Sequence, residues 1–320
     1  MRILHWHVHG SWTTAFVQGS HDYLLPVTPD RGPDGLGRAR TWDWPASAVE
    51  LSPESLRDAD IDVVVLQRPH EVALAAEWTG RVPGRDLPAV YVEHNTPVGA
   101  VPDTRHPMAD RDDIPVVHVT HFNRLLWDNG RAPTHVVEHG VVDPGHRYDG
   151  SLPHAAVAVN DPVRRGRSVG TDLIGPLAAT VPVDVFGMRV DRLPPMAGVT
   201  THEDLPQARM HEELARRRVY VHTARWTSLG LSLIEAMQLG MPVVALAVTE
   251  AVTAVPLEAG VLTNDPDALG AAARRLVDDP DLARRMGTAA RAHALERFGL
   301  KRFLGDWDAL LAGLRVRGTA

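Results

Sequence analysis

Glu235 is the one acid of a predicted helix, 228–239, whose remaining chemistry is largely apolar. Leu231, Ile234 and Met237 fall at helical spacing. Thr227 and Ser228 stand as candidate caps, and Gly240 ends the pattern. Gly230 in the first turn costs helix stability but lets a ligand approach the backbone. The free N–H groups and partial positive charge of a helix start favour an anion such as phosphate. Glu235, two turns in, is placed to accept hydrogen bonds from hydroxyls of the same ligand. A second group is Arg164, Arg165 and Arg167, between a predicted strand ending at Asn160 and a helix from Thr171. Guanidinium groups bind phosphate through paired hydrogen bonds, so this run reads as a diphosphate clamp; its plainer reading is a solvated surface. A third is His94, just past a buried strand in Glu93-His94-Asn95-Thr96-Pro97. That context suits a residue of a site, against the alternative of a histidine bonded to nearby backbone.

The elements that must position these residues are short apolar strands alternating with helices, which implies parallel sheets with right-handed crossovers. Strands are predicted over 2–8, 22–27, 61–66, 89–92, 114–120 and 134–138 in the first half. The second half gives 155–160, 183–186 with a sharp turn at Gly187, 219–222, 243–248 and 260–262. Residues 142–153 hold two Gly and two Pro and read as a linker. The division is therefore 1–146 and 147–320, with a final helix over 300–314 carrying Phe303, Trp307, Leu310 and Leu311 on one face. Residues 28–46 read as a long surface loop whose Trp42 and Trp44 cover apolar surface. Gly10 lies in a polar loop after the first strand, and 198–217 leads into a helix. His5, His7 and His9 alternate and would share one strand face. A metal there would need further His and Asp ligands on later strands, and no spacing supplies them.

The bulk numbers exclude several classes. There are 33 Lys+Arg against 40 Asp+Glu, a formal charge of −7, which argues against a nucleic-acid partner. The absence of cysteine excludes disulfides and thiolate metal sites and fits the cytoplasm. No apolar run approaches the roughly 20 residues of a membrane span, and no signal peptide is expected.

The order of residues in 225–250 resembles the retaining glycosyltransferases of family 4, whose donor segment has the form E-x-F-G-L-x-x-x-E-A-M-A-x-G-x-P-V-V-A. Gly230, Leu231, Glu235, Ala236, Met237, Gly240, Pro242, Val243, Val244 and Ala245 match in register; Thr227 stands where the family has its first acid. Arg165-Gly166 aligns with a Lys-Gly pair, and Asn160 falls where an Arg is usual. Gly140-Val141 matches the close of the first domain, with His139 in place of Asn. The resemblance implies the α/β GT-B fold: two Rossmann-like domains with parallel sheets facing across a cleft, the last helix crossing back to the first. It implies metal-independent transfer of a sugar from a nucleotide-sugar to an unidentified acceptor, with no cofactor and with an oligomer left open. His94, Arg165 and Glu235 would be the principal residues. Arg164, Arg167, Asn160, Thr227, Ser228, Leu229, Gly230, Leu231, Glu250 and Gly10 would line the substrates. Two further readings stand beside this one. The first is a non-catalytic partner subunit, suggested by the neutral Thr227 and Asn160. The second is an epimerase of the same fold using Glu93 and Glu250.

Overall fold

The computed structural model describes residues 1–314. Residues 315–320, which the expected second domain includes, lie outside the described residues. The chain divides into two compact units at Val142 and Asp143, and the helix Leu300–Gly313 belongs to the first unit.

The first unit is built on seven strands: β1 (Arg2–His5), β2 (Asp22–Pro26), β3 (Ala48–Leu51), β4 (Val63–Leu66), β5 (Ala89–Glu93), β6 (Val116–His118) and β7 (Thr134–Val136). All pair in parallel, in the order β3-β2-β1-β4-β5-β6-β7. Every residue of β4 and β5 is buried, as near-continuous aliphatic runs covered on both faces require. The strand order reverses between β1 and β4, so the loops leaving those strands diverge. Four helices cover the sheet: α1 (Gly10–Phe16), α2 (Pro53–Leu56), α3 (Glu71–Thr79) and α4 (His121–Leu126). Thr120 caps α4, accepting from the Asn123 N–H at 3.0 Å.

Three expectations are corrected in this unit. β1 stops at His5, because the His7 ring turns to the Gly37 carbonyl (3.1 Å) and His9 becomes the residue preceding α1. His5, His7 and His9 therefore do not share a strand face. Gly10, expected in a loop, is the first residue of α1. β3 and α3 were not foreseen. β3 is a half-exposed edge strand at the end of the long loop, tied down by Glu50, which accepts Arg31 Nη1 at 2.9 Å and the Arg38 N–H at 2.8 Å.

The terminal helix buries Phe303, Trp307 and Leu311. The Trp307 ring lies 5.8 Å from Trp12 and 5.1 Å from Phe16, which joins the helix to α1. Trp307→Ala is expected to cost about 3–5 kcal/mol, as loss of a fully buried aromatic does. Urea unfolding followed by tryptophan fluorescence measures it; a loss below about 1 kcal/mol would contradict this packing.

The second unit carries six parallel strands: β8 (Leu152–Ala158), β9 (Val183–Gly187), β10 (Val199–Glu203), β11 (Arg217–His222), β12 (Val243–Leu246) and β13 (Gly260–Thr263). Their order is β10-β9-β8-β11-β12-β13. Helices α5 (Pro162–Arg165), α6 (Thr171–Ala178), α7 (Gln207–Arg216), α8 (Leu231–Leu239), α9 (Ala251–Ala254), α10 (Pro266–Asp278) and α11 (Pro280–Phe298) complete it. Asp265 and Asp279 cap α10 and α11, each followed by a proline at the first helical position. The core gathers Val157, Val185, Val221, Val244 and Leu246 from the strands with Ile174, Leu269 and Ala283 from the helices. β10 was not expected; Val-Thr-Thr-His-Glu has the polar character of an edge strand and pairs with β9 along its whole length. β8 starts at Leu152, three residues before the predicted strand.

Candidate functional site

α8 starts at Leu231, with Gly230 at the cap position in extended backbone (φ −70°, ψ 122°). The expected caps, Thr227 and Ser228, do not occupy the cap position; Thr227 is half-buried, and Ser228 and Leu229 are buried in the approach. The reason is tertiary. A methyl group at position 230 would lie 2.6 Å from Cε1 of His222, the last residue of β11. Only glycine lets the chain pass that ring and bring the start of α8 alongside the end of β11. A glycine at the cap position offers the first-turn N–H groups no side-chain acceptor of its own, and a helix start of that kind suits an anion. Gly230→Ala is expected to cost about 1–3 kcal/mol, the usual range for overpacking. The double variant with His222→Ala should be more stable than the sum of the two single losses predicts. Denaturant unfolding of the four proteins checks this, and strict additivity would contradict the contact.

The arginine loop between β8 and α6 packs beside that approach. Gly170 has φ +75°, and a side chain there would meet the Thr223 carbonyl at 2.0 Å. The close passage is fixed by hydrogen bonds. Ser168 O accepts the N–H groups of Arg225 (2.9 Å) and Trp226 (3.0 Å), and Thr223 Oγ1 donates to Val169 O (2.8 Å). The two segments singled out in the sequence, 161–170 and 223–231, are therefore neighbours.

The three arginines of the loop have different surroundings. Arg164 pairs with Asp161, which also holds Arg189 at 2.8 Å. Arg167 pairs with Asp172 at 2.7 Å, and Arg225 shares that carboxylate. Arg164 and Arg167 each therefore have a carboxylate partner within their own unit. Asn160 is exposed, and its Oδ1 accepts the Met188 N–H at 2.9 Å. Arg165 is half-buried, and among the described residues its guanidinium makes no hydrogen bond or ion pair. Burial, and then the neighbouring Arg164, push its pKa down from the usual arginine value. Asp161 acts on it only at longer range, and a desolvated cation outside any direct ion pair is stabilised by an incoming anion.

Glu235 is 2% exposed, on the second turn of α8. Its Oε1 accepts from Gln207 Nε2 at 3.2 Å, and its Oε2 lies 3.3 Å from His211 Nε2. Gln207 and His211 were not identified in the sequence; their spacing of four on α7 was the available signal. Glu250, expected to face a sugar or acceptor, is 3% exposed. It accepts Thr253 Oγ1 at 2.6 Å and pairs with Arg297 at 3.2 Å. The structure thus places that carboxylate in internal contacts with α9 and α11.

In the first unit His94 follows β5 and is buried. Its ring lies 4.0 Å from that of His9 and edge-on to Trp12 at 5.1 Å. Burial, reinforced by His9 and His139, holds its pKa well below the ordinary histidine value. Burial likewise lowers His9 to about 4 and His139 to about 3. These imidazoles are neutral at pH 7. His5 instead packs its ring against Phe16 and Tyr23. No group of three or more metal-ligating side chains occurs among the described residues. Gly10 lies near Trp42, 3.9 Å from where its methyl group would be. Glu93 accepts the Asn95 N–H at 2.7 Å and faces His106 at 3.1 Å. Among the described residues, no helix is long and apolar enough to cross a membrane.

Residues 192–293 match the family model described as Glycosyl transferases group 1. A D-inositol 3-phosphate glycosyltransferase of Streptomyces griseus is 38% identical over 104 residues, 32% of this chain and 22% of the relative. The match thus spans about a fifth of that relative's length. Among solved structures, sucrose-phosphate synthase from Thermosynechococcus elongatus aligns with a TM-score of 0.69 at 16% identity, covering 98% of each chain. The Anabaena protein HepE, in complex with UDP, aligns at 0.67 with 14% identity over 98% of this chain and 100% of its own. A glycosyltransferase from Rickettsia africae aligns at 0.68 with 14% identity over 100% and 99%. The chain has the two-unit, parallel-sheet architecture of the GT-B fold, and within it residues 192–293 are similar to the group 1 glycosyltransferases.

Proposed function

We propose that this protein transfers a sugar from a nucleotide-diphosphate sugar to an acceptor, with retention at the anomeric carbon and without a metal. The observation that carries the proposal is Arg165, a half-buried guanidinium in no direct ion pair among the described residues, beside the approach to a helix start whose cap position is glycine. The resemblance of 225–250 to the family 4 donor segment supports the same reading, and the complex of HepE with UDP makes uridine nucleotides the first donors to test.

Arg165 would hold the diphosphate from one side and the N–H groups after Gly230 from another. Glu235 would accept hydrogen bonds from the ribose. As the glycosidic bond breaks, negative charge grows on the leaving diphosphate, and fixed donors and a fixed cation stabilise it. The departing phosphate would take the proton of the acceptor hydroxyl as the new bond forms on the same face. No second carboxylate at glycosidase spacing is then needed. His94, held neutral, is the residue of the first unit proposed to take part in the reaction. Glu93 and Glu250 are engaged by His106 and by Arg297, so neither supports an epimerase.

A second reading, a non-catalytic partner subunit, draws on Thr227, neutral where the family has an acid, and on Asn160, whose oxygen is taken by the Met188 N–H. Proton NMR of UDP-, GDP- and ADP-sugars incubated with the protein separates the two. Consumption of one α-linked donor with an α-linked product is the expected result. A β-linked product would overturn retention, and no consumption of any donor would favour the partner subunit.

A further inference from the structure

Each carboxylate oxygen of Glu235 meets a side chain from a single face of α7, Gln207 at 3.2 Å and His211 at 3.3 Å. Residues four apart on a helix stand one above the other, so these two are presented to α8 together. His211 is itself buried and Gln207 half-buried. The opposite end of α7 is fixed separately. Arg217 Nη1 donates to both the carbonyl and the carboxylate of Glu213, each at 2.7 Å, and its Nε reaches Asp184 of β9 at 3.0 Å. Asp184 also takes His154 of β8 (2.7 Å) and His202 of β10 (2.8 Å). α7 is thereby tied to three strands, and its other end holds a carboxylate at two points. A glutamate has three side-chain torsions to restrict, and a two-point hold leaves it one orientation.

We propose that Gln207 and His211 are positioning residues that aim the Glu235 carboxylate at the ribose hydroxyls of the donor, and so make the site select ribonucleoside over 2′-deoxyribonucleoside diphosphates. The proposal rests on the donor-site reading above. An ionised carboxylate only accepts hydrogen bonds, so it gains from a ligand hydroxyl and is left short when that hydroxyl is missing. Discrimination of this kind depends on aim: a carboxylate free to rotate loses the second hydroxyl.

The test is calorimetric titration with UDP, GDP and ADP, followed by the 2′-deoxy form of whichever binds most tightly. Wild type should favour the ribonucleotide by at least about tenfold, the scale of one hydrogen bond to a charged group. Gln207→Ala and His211→Ala should each bring that ratio toward unity while affinity for the deoxy form stays unchanged. His211→Gln, which keeps a donor, should restore it. The Gln207 variant decides the matter where the buried His211 variant does not fold. If both alanine variants keep the wild-type ratio and Glu235→Ala abolishes it, the positioning role is overturned and the donor site stands. If Glu235→Ala keeps the ratio as well, or no diphosphate binds, the donor reading fails and this inference with it.

Discussion

Arg165→Ala is expected to lower kcat/KM for the nucleotide-sugar about 100- to 1,000-fold, the scale on which fixed electrostatic groups act on developing charge. Arg164, Arg167, Arg189 and Arg225 are all paired with Asp161 or Asp172. Removing Arg165 costs no internal ion pair, so its loss should fall on ligand binding rather than on folding. Arg165→Lys should recover only part of the activity, because an ammonium offers a point charge in place of a planar pair of donors. Steady-state kinetics with matched melting temperatures checks this. An Arg165→Ala protein within about threefold of wild type would remove the diphosphate from this loop.

Acidification should unfold the first unit before the second. Burial holds His5 and His139 down to about 3, and His9 and His118 to about 4, with His94 lower than ordinary as well. The second unit has one comparable group, His222, lowered to about 4. The unfolded chain protonates its histidines near pH 6.5, before these folded-state rings accept a proton. Their contribution is therefore complete above about pH 6.5 and is lost as pH falls toward the folded values. At pH 5.5 three of these rings, His5, His118 and His139, together account for about 4 kcal/mol. That is a large part of a typical total of about 5–15 kcal/mol. Of the eight tryptophans only Trp226 lies in the second unit, so tryptophan fluorescence reports chiefly on the first. Its melting temperature should fall steeply between pH 6.5 and 5. A flat profile over that range would mean that the rings are hydrated or charged.

How much of this was legible in the sequence depends on whether a feature is local. The strands with continuous aliphatic runs, such as β4, β5 and β12, were read directly, because burial on both faces writes itself into composition. β3 and β10 were not, since an edge strand carries polar residues and little periodicity. The segment around Glu235 was legible as a unit, yet its start was placed three residues early. What decides that start is the His222 ring against Gly230, a contact between residues eight apart that no capping rule contains. The same limit applies to charge. Three arginines in one loop look alike in sequence; Asp161 and Asp172 take two of them and leave Arg165. Glu250 stands alone in its stretch of sequence, yet Arg297, 47 residues away, pairs with it. Gln207 and His211 gave no signal beyond their spacing, because their meaning lies in the helix they face.

The most direct test of the donor site is an equilibrium titration of wild type and Arg165→Ala with UDP, GDP, ADP and dTDP at low and high salt. The account predicts that one ribonucleoside diphosphate binds wild type, that salt weakens the binding, and that Arg165→Ala loses most of both the affinity and the salt dependence. Binding that is equally tight in the variant, or no binding of any diphosphate to wild type, would contradict it.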